Sequence, residues 1–414
     1  MKIARKLVLI IFMLVLLLPV PLSMTMYSSD NSDEKREKAE FPTTFSDTYG
    51  TQLEAWFKDN SPFREKIIKW YSNIDVKWEM FYTNWLTHMF YDAEEPIYDY
   101  EFTLDDGIGN NPPLIEDYDT VLPYPYLDNK ESVYPPRLQS SVIYGRDNWL
   151  FFKGEKSLSF YTGENAKVND EMLSYYQEIS EVDSMLKERG IELRILILPN
   201  KEQVYADKMP TYDIVHNAKM VQRLRYYLKS MGYNNFYYPI EALIGGRIDG
   251  RQTYLQQDTH WNEYGAMIGA LVLMKSLGAQ PLKYTVTEYE RKGGDLASML
   301  GSEGDEYVTN GIEFKPDINV ELVHDSHESR VTKYESTAVN NKKCVIFGDS
   351  YREAITPLLA KEFHNTSVYH YTRSSFAQED VLGLKAGDCI FIIHVERYIE
   401  NAMNSLRTIK DFLA

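Results

Sequence analysis

The stretch that decides the fold is Cys344-Val-Ile-Phe-Gly-Asp-Ser-Tyr351, continuing as Arg352-Glu-Ala-Ile-Thr-Pro-Leu-Leu-Ala-Lys-Glu-Phe363. Cys344 to Phe347 is a short apolar run bounded by a turn signal, as in a buried strand, and a helical pattern opens at Tyr351. Between them lies Gly348-Asp349-Ser350, so the chain passes from strand to helix in a tight turn that the glycine permits. A serine there sits at a helix N-terminus, where the helix dipole and the serine's own N–H both favour an oxyanion.

About ninety residues earlier the chain reads Asp258-Thr-His260-Trp261. With Ser350 this completes a Ser-His-Asp set in the chain order Asp, His, Ser, and such sets are recognised by roles rather than by order. Ser350 is the candidate nucleophile. His260, with a near-neutral intrinsic pKa, is the general base, and Asp258 orients and stabilises its ring. The competing readings are a helix-capping serine and a histidine packed beside Trp261. Asp349 is a second carboxylate beside Ser350, best read as shaping the turn. The Ser350 N–H is the first oxyanion donor, and the sequence names no second. Trp261 and Tyr351 are candidates to stack on a sugar, with packing as the alternative. Arg397, at a strand end, is expected either to meet substrate or to pair with Glu396. A metal site is not expected, because Glu263 is the sole further ligand candidate beside Asp258 and His260, and no cysteine is near. No cofactor is implied.

From Val142 onward, apolar runs at Leu193–Leu198, Phe236–Tyr238, Cys344–Phe347, Val368–Tyr371 and Cys389–Val395 alternate with helical stretches near 169–188, 216–231, 263–277, 351–363 and 397–412. Such alternation predicts a mainly parallel sheet covered on both faces, with the site at the carboxyl ends of its strands. Cys344 and Cys389, the only cysteines, are read as buried thiols, with a single bridge as the alternative.

The N-terminus has another character. Lys2, Arg5 and Lys6 precede twenty uncharged residues, Leu7 to Met26, which is enough to span a bilayer with the remainder outside. We read 1–26 as an uncleaved anchor, with a cleaved signal sequence as the rival, and 27–44 as a tether. Residues 45–91 are an aromatic-rich helical region broken at Ser61-Pro62, expected to pack on the core. Residues 92–138 form an irregular Tyr/Pro-rich insertion. Asp92 to Asp128 holds eleven acidic residues and no Lys or Arg, which reads as a solvated loop before a calcium loop. The catalytic domain spans 139–414. The 44 basic and 61 acidic residues give a net charge of −17, which disfavours nucleic acid and anionic lipid as partners.

These motifs resemble the SGNH-hydrolase-like acyltransferases of the alginate O-acetylation and DHHW-type families. Further segments carry the likeness: Tyr49 to Asp59 with Pro62-Phe-Arg64, Gly145-Arg-Asp-Asn-Trp149, Pro199-Asn-Lys201 and Gly294-Asp295-Leu296. The resemblance implies a three-layer α/β/α fold and a serine enzyme that moves an acetyl group onto glycan hydroxyls. It also implies a polysaccharide acceptor outside the cytoplasm and a multi-pass membrane acyltransferase that supplies the acetyl group. An additional carbohydrate-binding domain, found in some alginate relatives, is not expected. The rivals are an acetyl esterase using the same triad and a non-catalytic glycan-binding scaffold of a secretion complex.

Overall fold

The computed structural model describes Gln52 and residues 141–247, 251–279, 284–300, 308–316, 319–326, 330–337 and 341–414. The chain divides into two units, Met1–Trp78 and Glu79–Ala414, and all described residues except Gln52 belong to the second. The predicted anchor (1–26), tether (27–44), helical region (45–91, Gln52 apart) and acidic insertion (92–138) lie outside the described residues. Among the described residues no helix is long and apolar enough to cross a membrane.

Eleven strands are described: β1 (Val142–Tyr144), β2 (Leu150–Phe152), β3 (Glu192–Leu198), β4 (Phe236–Tyr237), β5 (Tyr284–Lys292), β6 (Val308–Pro316), β7 (Val320–Ser326), β8 (Val331–Ser336), β9 (Lys343–Gly348), β10 (Asn365–His370) and β11 (Cys389–Val395). Seven form the central sheet in the order β4-β3-β11-β9-β10-β8-β7. The first five are mutually parallel. β8 and β7 extend the sheet in antiparallel fashion beyond β10. The architecture is therefore an α/β fold with a mainly parallel, mixed sheet. The antiparallel pairs β1–β2 and β5–β6 stand apart from it.

β11 is buried at all seven residues, so its alternating side chains need cover on both faces of the sheet. Two helix pairs provide it. Asn169–Lys187 packs against Ile399–Leu413, and Glu263–Ser276 packs against Arg352–Ala360. Each fully buried Ile, Phe or Val on β11 contributes roughly 1.5–3 kcal/mol of transfer free energy. Cys344 and Cys389 face each other in register on β9 and β11, both buried and both free thiols.

The five predicted strands and five predicted helices all form. Among the unpredicted elements are the β1–β2 pair, the polar β7–β8 extension, the β5–β6 pair and the short helix Asp295–Met299. Gly348 is required for a reason other than turn geometry. A Cβ there would stand 2.3 Å from the Ile393 carbonyl, so β11 passes too close to β9 for any side chain.

Candidate active site

β9 ends at Gly348, and Ser350 follows on the turn into Arg352–Ala360. Asp349 makes that turn: its Oδ1 accepts from the Tyr351 N–H at 2.9 Å and its Oδ2 from the Val395 N–H at 2.8 Å. His394 Nδ1, wholly buried on β11, lies 3.6 Å from the same Oδ2. Burial alone would raise the Asp349 carboxyl, but His394, the Val395 N–H and Arg397 hold it below the usual range. Both oxygens of Asp349 thus serve the turn, and neither is free for substrate.

Asp258, Thr259 and His260 occupy the tip of a hairpin-like loop. Tyr254 and Trp261 form an antiparallel bridge across its base, and the Leu255 N–H donates to the His260 carbonyl at 3.0 Å. Asn262 then caps the helix Glu263–Ser276, its side chain accepting from the Gly265 N–H. The loop delivers His260 between the other two groups. Its Nδ1 lies 2.7 Å from Asp258 Oδ1, and its Nε2 lies 2.7 Å from Ser350 Oγ. A carboxylate can only accept, so Nδ1 carries the proton and the lone pair of Nε2 faces the serine hydroxyl.

The electrostatics follow from this geometry. Burial alone would raise the Asp258 carboxyl, yet the His260 ring, the His260 N–H and the Asp295 N–H hold it well below the usual carboxylate range. Burial disfavours the charged form of His260, but the hydrogen bond and charge of Asp258, together with the charge of Asp295, outweigh it and raise the ring's pKa.

The sequence profile of the family described as SGNH hydrolase-like domain, acetyltransferase AlgX, matches residues 142–356, slightly over half of the 414. The chain belongs to that family. A probable alginate O-acetylase AlgJ of Pseudomonas fluorescens is 28% identical over 179 residues, covering 38% of this chain and 41% of that protein. The chain therefore spans about two fifths of the length of the curated relative it matches. Among solved structures, PatB1 of Bacillus cereus is similar at 16% identity and a TM-score of 0.45, over 64% of this chain and 97% of that one. A DHHW family protein of Eubacterium siraeum gives 15% and 0.47, over 68% and 98%. The O-acetyltransferase domain of Pseudomonas putida AlgJ gives 18% and 0.41, over 63% and 92%.

In this member of the family, three residues singled out from sequence as possible substrate contacts are turned inward. Trp261 and Tyr351 are 3% and 1% exposed, so neither presents a face on which a sugar could stack. Arg397 does not pair with Glu396. Its Nη1 donates to Asn200 Oδ1 at 3.0 Å, its Nε lies 3.4 Å from Glu155, and its guanidinium sits against the rings of Phe152, Tyr351 and Tyr398. Glu396 points into the core, where it accepts from the Asn200 N–H and the Tyr238 hydroxyl, each at 2.8 Å.

Two residues quoted from the sequence only within family-like segments, with no role, hold the loop. Lys201, 2% exposed, directs its Nζ to the carbonyls of Leu255, Gln256 and Asp258 at 3.1, 3.1 and 2.6 Å. Asp295 reaches the loop from the short helix that it begins. Asp258, His260 and Asp295 offer potential metal-ligand atoms within 4.8 Å of one another. In the structure these groups bond to one another and to Thr259, with His260 Nδ1 on Asp258 Oδ1 and both Asp295 oxygens on Thr259.

Beside Ser350 opens a cleft of about 530 Å³, walled by Arg352 and Thr356 on the helix side, Arg330 and Tyr334 from the β8 side, and His370 at the end of β10. Burial, then Arg352 and Arg330, push the His370 ring down to about 4. It is therefore neutral at physiological pH.

Proposed function

We propose that this chain transfers an acetyl group, through a Ser350 acyl-enzyme, onto hydroxyls of a polysaccharide outside the cytoplasm. The observation that carries the reading is His260, with one ring nitrogen 2.7 Å from Asp258 and the other 2.7 Å from Ser350. Membership of an acetyltransferase family supports the transferred group, and the match to an alginate O-acetylase supports a polysaccharide acceptor. The anchor reading of residues 1–26 supports a single-pass protein with its catalytic domain outside. A multi-pass membrane acyltransferase is the partner that would supply the acetyl group there.

In this reading Ser350 Oγ attacks the donor's acyl carbon while His260 Nε2 takes its proton. The tetrahedral oxyanion faces the Ser350 N–H at the start of the helix. The intermediate collapses, expelling the donor's leaving group, which takes the proton from His260. An acceptor hydroxyl then gives its proton to Nε2 and attacks the ester carbonyl. Collapse of the second intermediate returns the proton to Ser350 Oγ and releases the acetylated glycan. Asp258 stays ionised throughout and holds the imidazolium. Water competes at about 55 M, so the acceptor must be held in attacking geometry, where effective molarities of roughly 10⁵ M or more are attainable. The cleft beside Ser350 is the space available for it.

The test is to incubate the protein with a chromogenic acetyl ester and a panel of oligosaccharides, following donor consumption and glycan mass. Faster donor consumption with an acetylated oligosaccharide as product supports the transferase. Fast hydrolysis that no glycan diverts, together with release of acetate from an acetylated polymer, would make it an esterase. Donor turnover that persists in Ser350→Ala would leave the scaffold reading.

A further inference from the structure

We propose that Asp295 is a positioning residue for the triad, clamping the loop that carries Asp258 and His260 and lending His260 a second negative charge. The proposal rests on the catalytic reading of Ser350, His260 and Asp258.

Thr259 lies between the two triad members, and Asp295 holds it with both carboxylate oxygens. The Thr259 N–H donates to Oδ1 at 2.7 Å and the Thr259 hydroxyl donates to Oδ2 at 2.5 Å. The backbone of Asp295 acts on the other partner: its N–H donates to Asp258 Oδ2 at 3.3 Å. Asp258 thereby has one oxygen on the His260 ring and the other on Asp295, which fixes the rotation of its carboxylate. Asp295 Oδ2 also lies 3.7 Å from His260 Nδ1.

The chain is built to allow this approach. A Cβ on Gly294 would stand 2.1 Å from the Gln257 carbonyl and 3.1 Å from Asp258 Cβ, so only glycine lets the segment come so near. The Ala297 N–H adds a 3.3 Å bond to the same Gln257 carbonyl. Asp295 is partly exposed, with a third of its side chain open, and so meets solvent as well as the loop.

The groups around His260 set the sign of the charge effect. Asp258 and Asp295 favour the imidazolium and Arg397 opposes it. The Tyr351 ring lies 4.9 Å away, and the Lys201 ammonium sits under the loop. Removing the charge of Asp295 while keeping its shape leaves His260 less basic. The neutral, proton-accepting form then persists to lower pH.

The experiment uses the full chain with 4-nitrophenyl acetate between pH 5 and 8, comparing Asp295→Asn, Asp295→Ala and Ser350→Ala with wild type. Asp295→Asn should move the acid limb of kcat/KM to lower pH while its plateau falls modestly. Asp295→Ala, which loses the clamp as well, should lower kcat about 10- to 100-fold with KM for the ester changed less than about twofold. A limb that does not move in Asp295→Asn, while Ser350→Ala is inactive, overturns the positioning role and leaves the triad standing. Retained activity in Ser350→Ala overturns the catalytic reading, and the role of Asp295 with it. If Asp295→Ala does not fold, the limb of the isosteric Asn variant still decides.

Discussion

The indole Nε1–H of Trp261 donates to the backbone carbonyl of Tyr351 at 3.1 Å, and the Tyr351 hydroxyl donates back to the carbonyl of Thr259. Each aromatic directly follows a residue of the proposed triad in sequence, Trp261 after His260 and Tyr351 after Ser350. The two bonds therefore stitch the histidine loop to the serine turn across ninety positions of chain. The 2.7 Å approach of His260 Nε2 to Ser350 Oγ is thus flanked by two bonds between loop and turn, with the Tyr351 ring packed 4.9 Å from that of His260.

Tyr351→Phe keeps the buried ring and removes one stitch, losing about 1 kcal/mol of stability, the net worth of an ordinary hydrogen bond. Trp261→Phe removes the other stitch and also part of a buried indole, so it should cost roughly 1 kcal/mol or more beyond that. Activity should fall further, about tenfold, because small misplacements at a reacting centre are costly. Both stitches close the same gap, so the double variant should fall less than the product of the singles. Kinetics on an acetyl ester beside thermal melts measure this. Losses in rate no larger than the losses in stability would reduce the pair to ordinary packing.

The proposed triad predicts a harsher series. Ser350→Ala, His260→Ala and Asp258→Ala should each lower kcat by more than about 10³-fold while leaving a folded protein. The double variant Ser350→Ala/His260→Ala should be scarcely worse than either single, since the members act as a unit. Turnover of Ser350→Ala within about tenfold of wild type would remove Ser350 from the chemistry.

The sequence made the parallel half of the sheet legible because β3, β9 and β11 are dominated by apolar residues, interrupted within the runs only by Arg194 and His394, the mark of strands buried on both faces. β7 and β8 gave no such signal. Val-Glu-Leu-Val-His-Asp-Ser and Val-Thr-Lys-Tyr-Glu-Ser mix polar residues into short strands at the sheet's edge, where solvent takes one side. Ser350 and His260 were readable because a turn and a dense motif marked them. Asp295 and Lys201 stand in segments that carry the family likeness, but their part in holding the loop was not readable, because they act on a loop 36 to 57 residues away and such contacts leave no periodicity. For Trp261 and Tyr351 the sequence leaves stacking and packing both open, and their burial decides for packing. An aromatic's position in a motif does not say which way its ring turns.

The pH dependence follows from His260, whose pKa lies above its ordinary 6.5. The ring must be neutral to accept the Ser350 proton, so kcat/KM should fall as pH drops through that raised value. Asp258, held well below the usual carboxylate range, stays ionised throughout and adds no second acid limb. A pH–rate profile on an acetyl ester reads this directly. An acid limb lying clearly below 6.5 would mean that Asp258 and Asp295 do not act on the ring as the geometry requires.

Lys201 predicts an effect on both stability and rate. Burial pushes its ammonium down to about 8, against the pull of Glu202, Asp258 and Asp295. Lys201→Met fills similar space but strands three carbonyls of the catalytic loop. Leaving buried polar groups unpaired costs about 1–3 kcal/mol each, so a loss of roughly 3 kcal/mol or more is expected. The loop should loosen before the sheet does. Hydrogen exchange should therefore rise first at Leu255 to His260, and uniform exchange across the domain would argue against a local role.

Glu396 gives a stability signature of opposite sign to that of the buried carboxylates Asp258 and Asp349. Burial, with Glu202 nearby, pushes its carboxyl up to about 7, although the Asn200 N–H and the Tyr238 hydroxyl pull the other way. A carboxyl whose folded pKa is raised contributes stability that is full below its unfolded value, near 4.5, and lost as pH rises through about 7. Asp258 and Asp349 have lowered values, so their contributions are lost only as pH falls below the ordinary aspartate range. The two effects occupy separate windows. Glu396→Gln keeps an acceptor for the Asn200 N–H and an amide to donate to the Tyr238 oxygen, while removing the ionisation. At pH 5 the variant and wild type should melt together. At pH 8 the variant should melt higher, by an amount on the order of a few kcal/mol in stability. Equal melting differences at both values would mean that Glu396 is not the group titrating in that window.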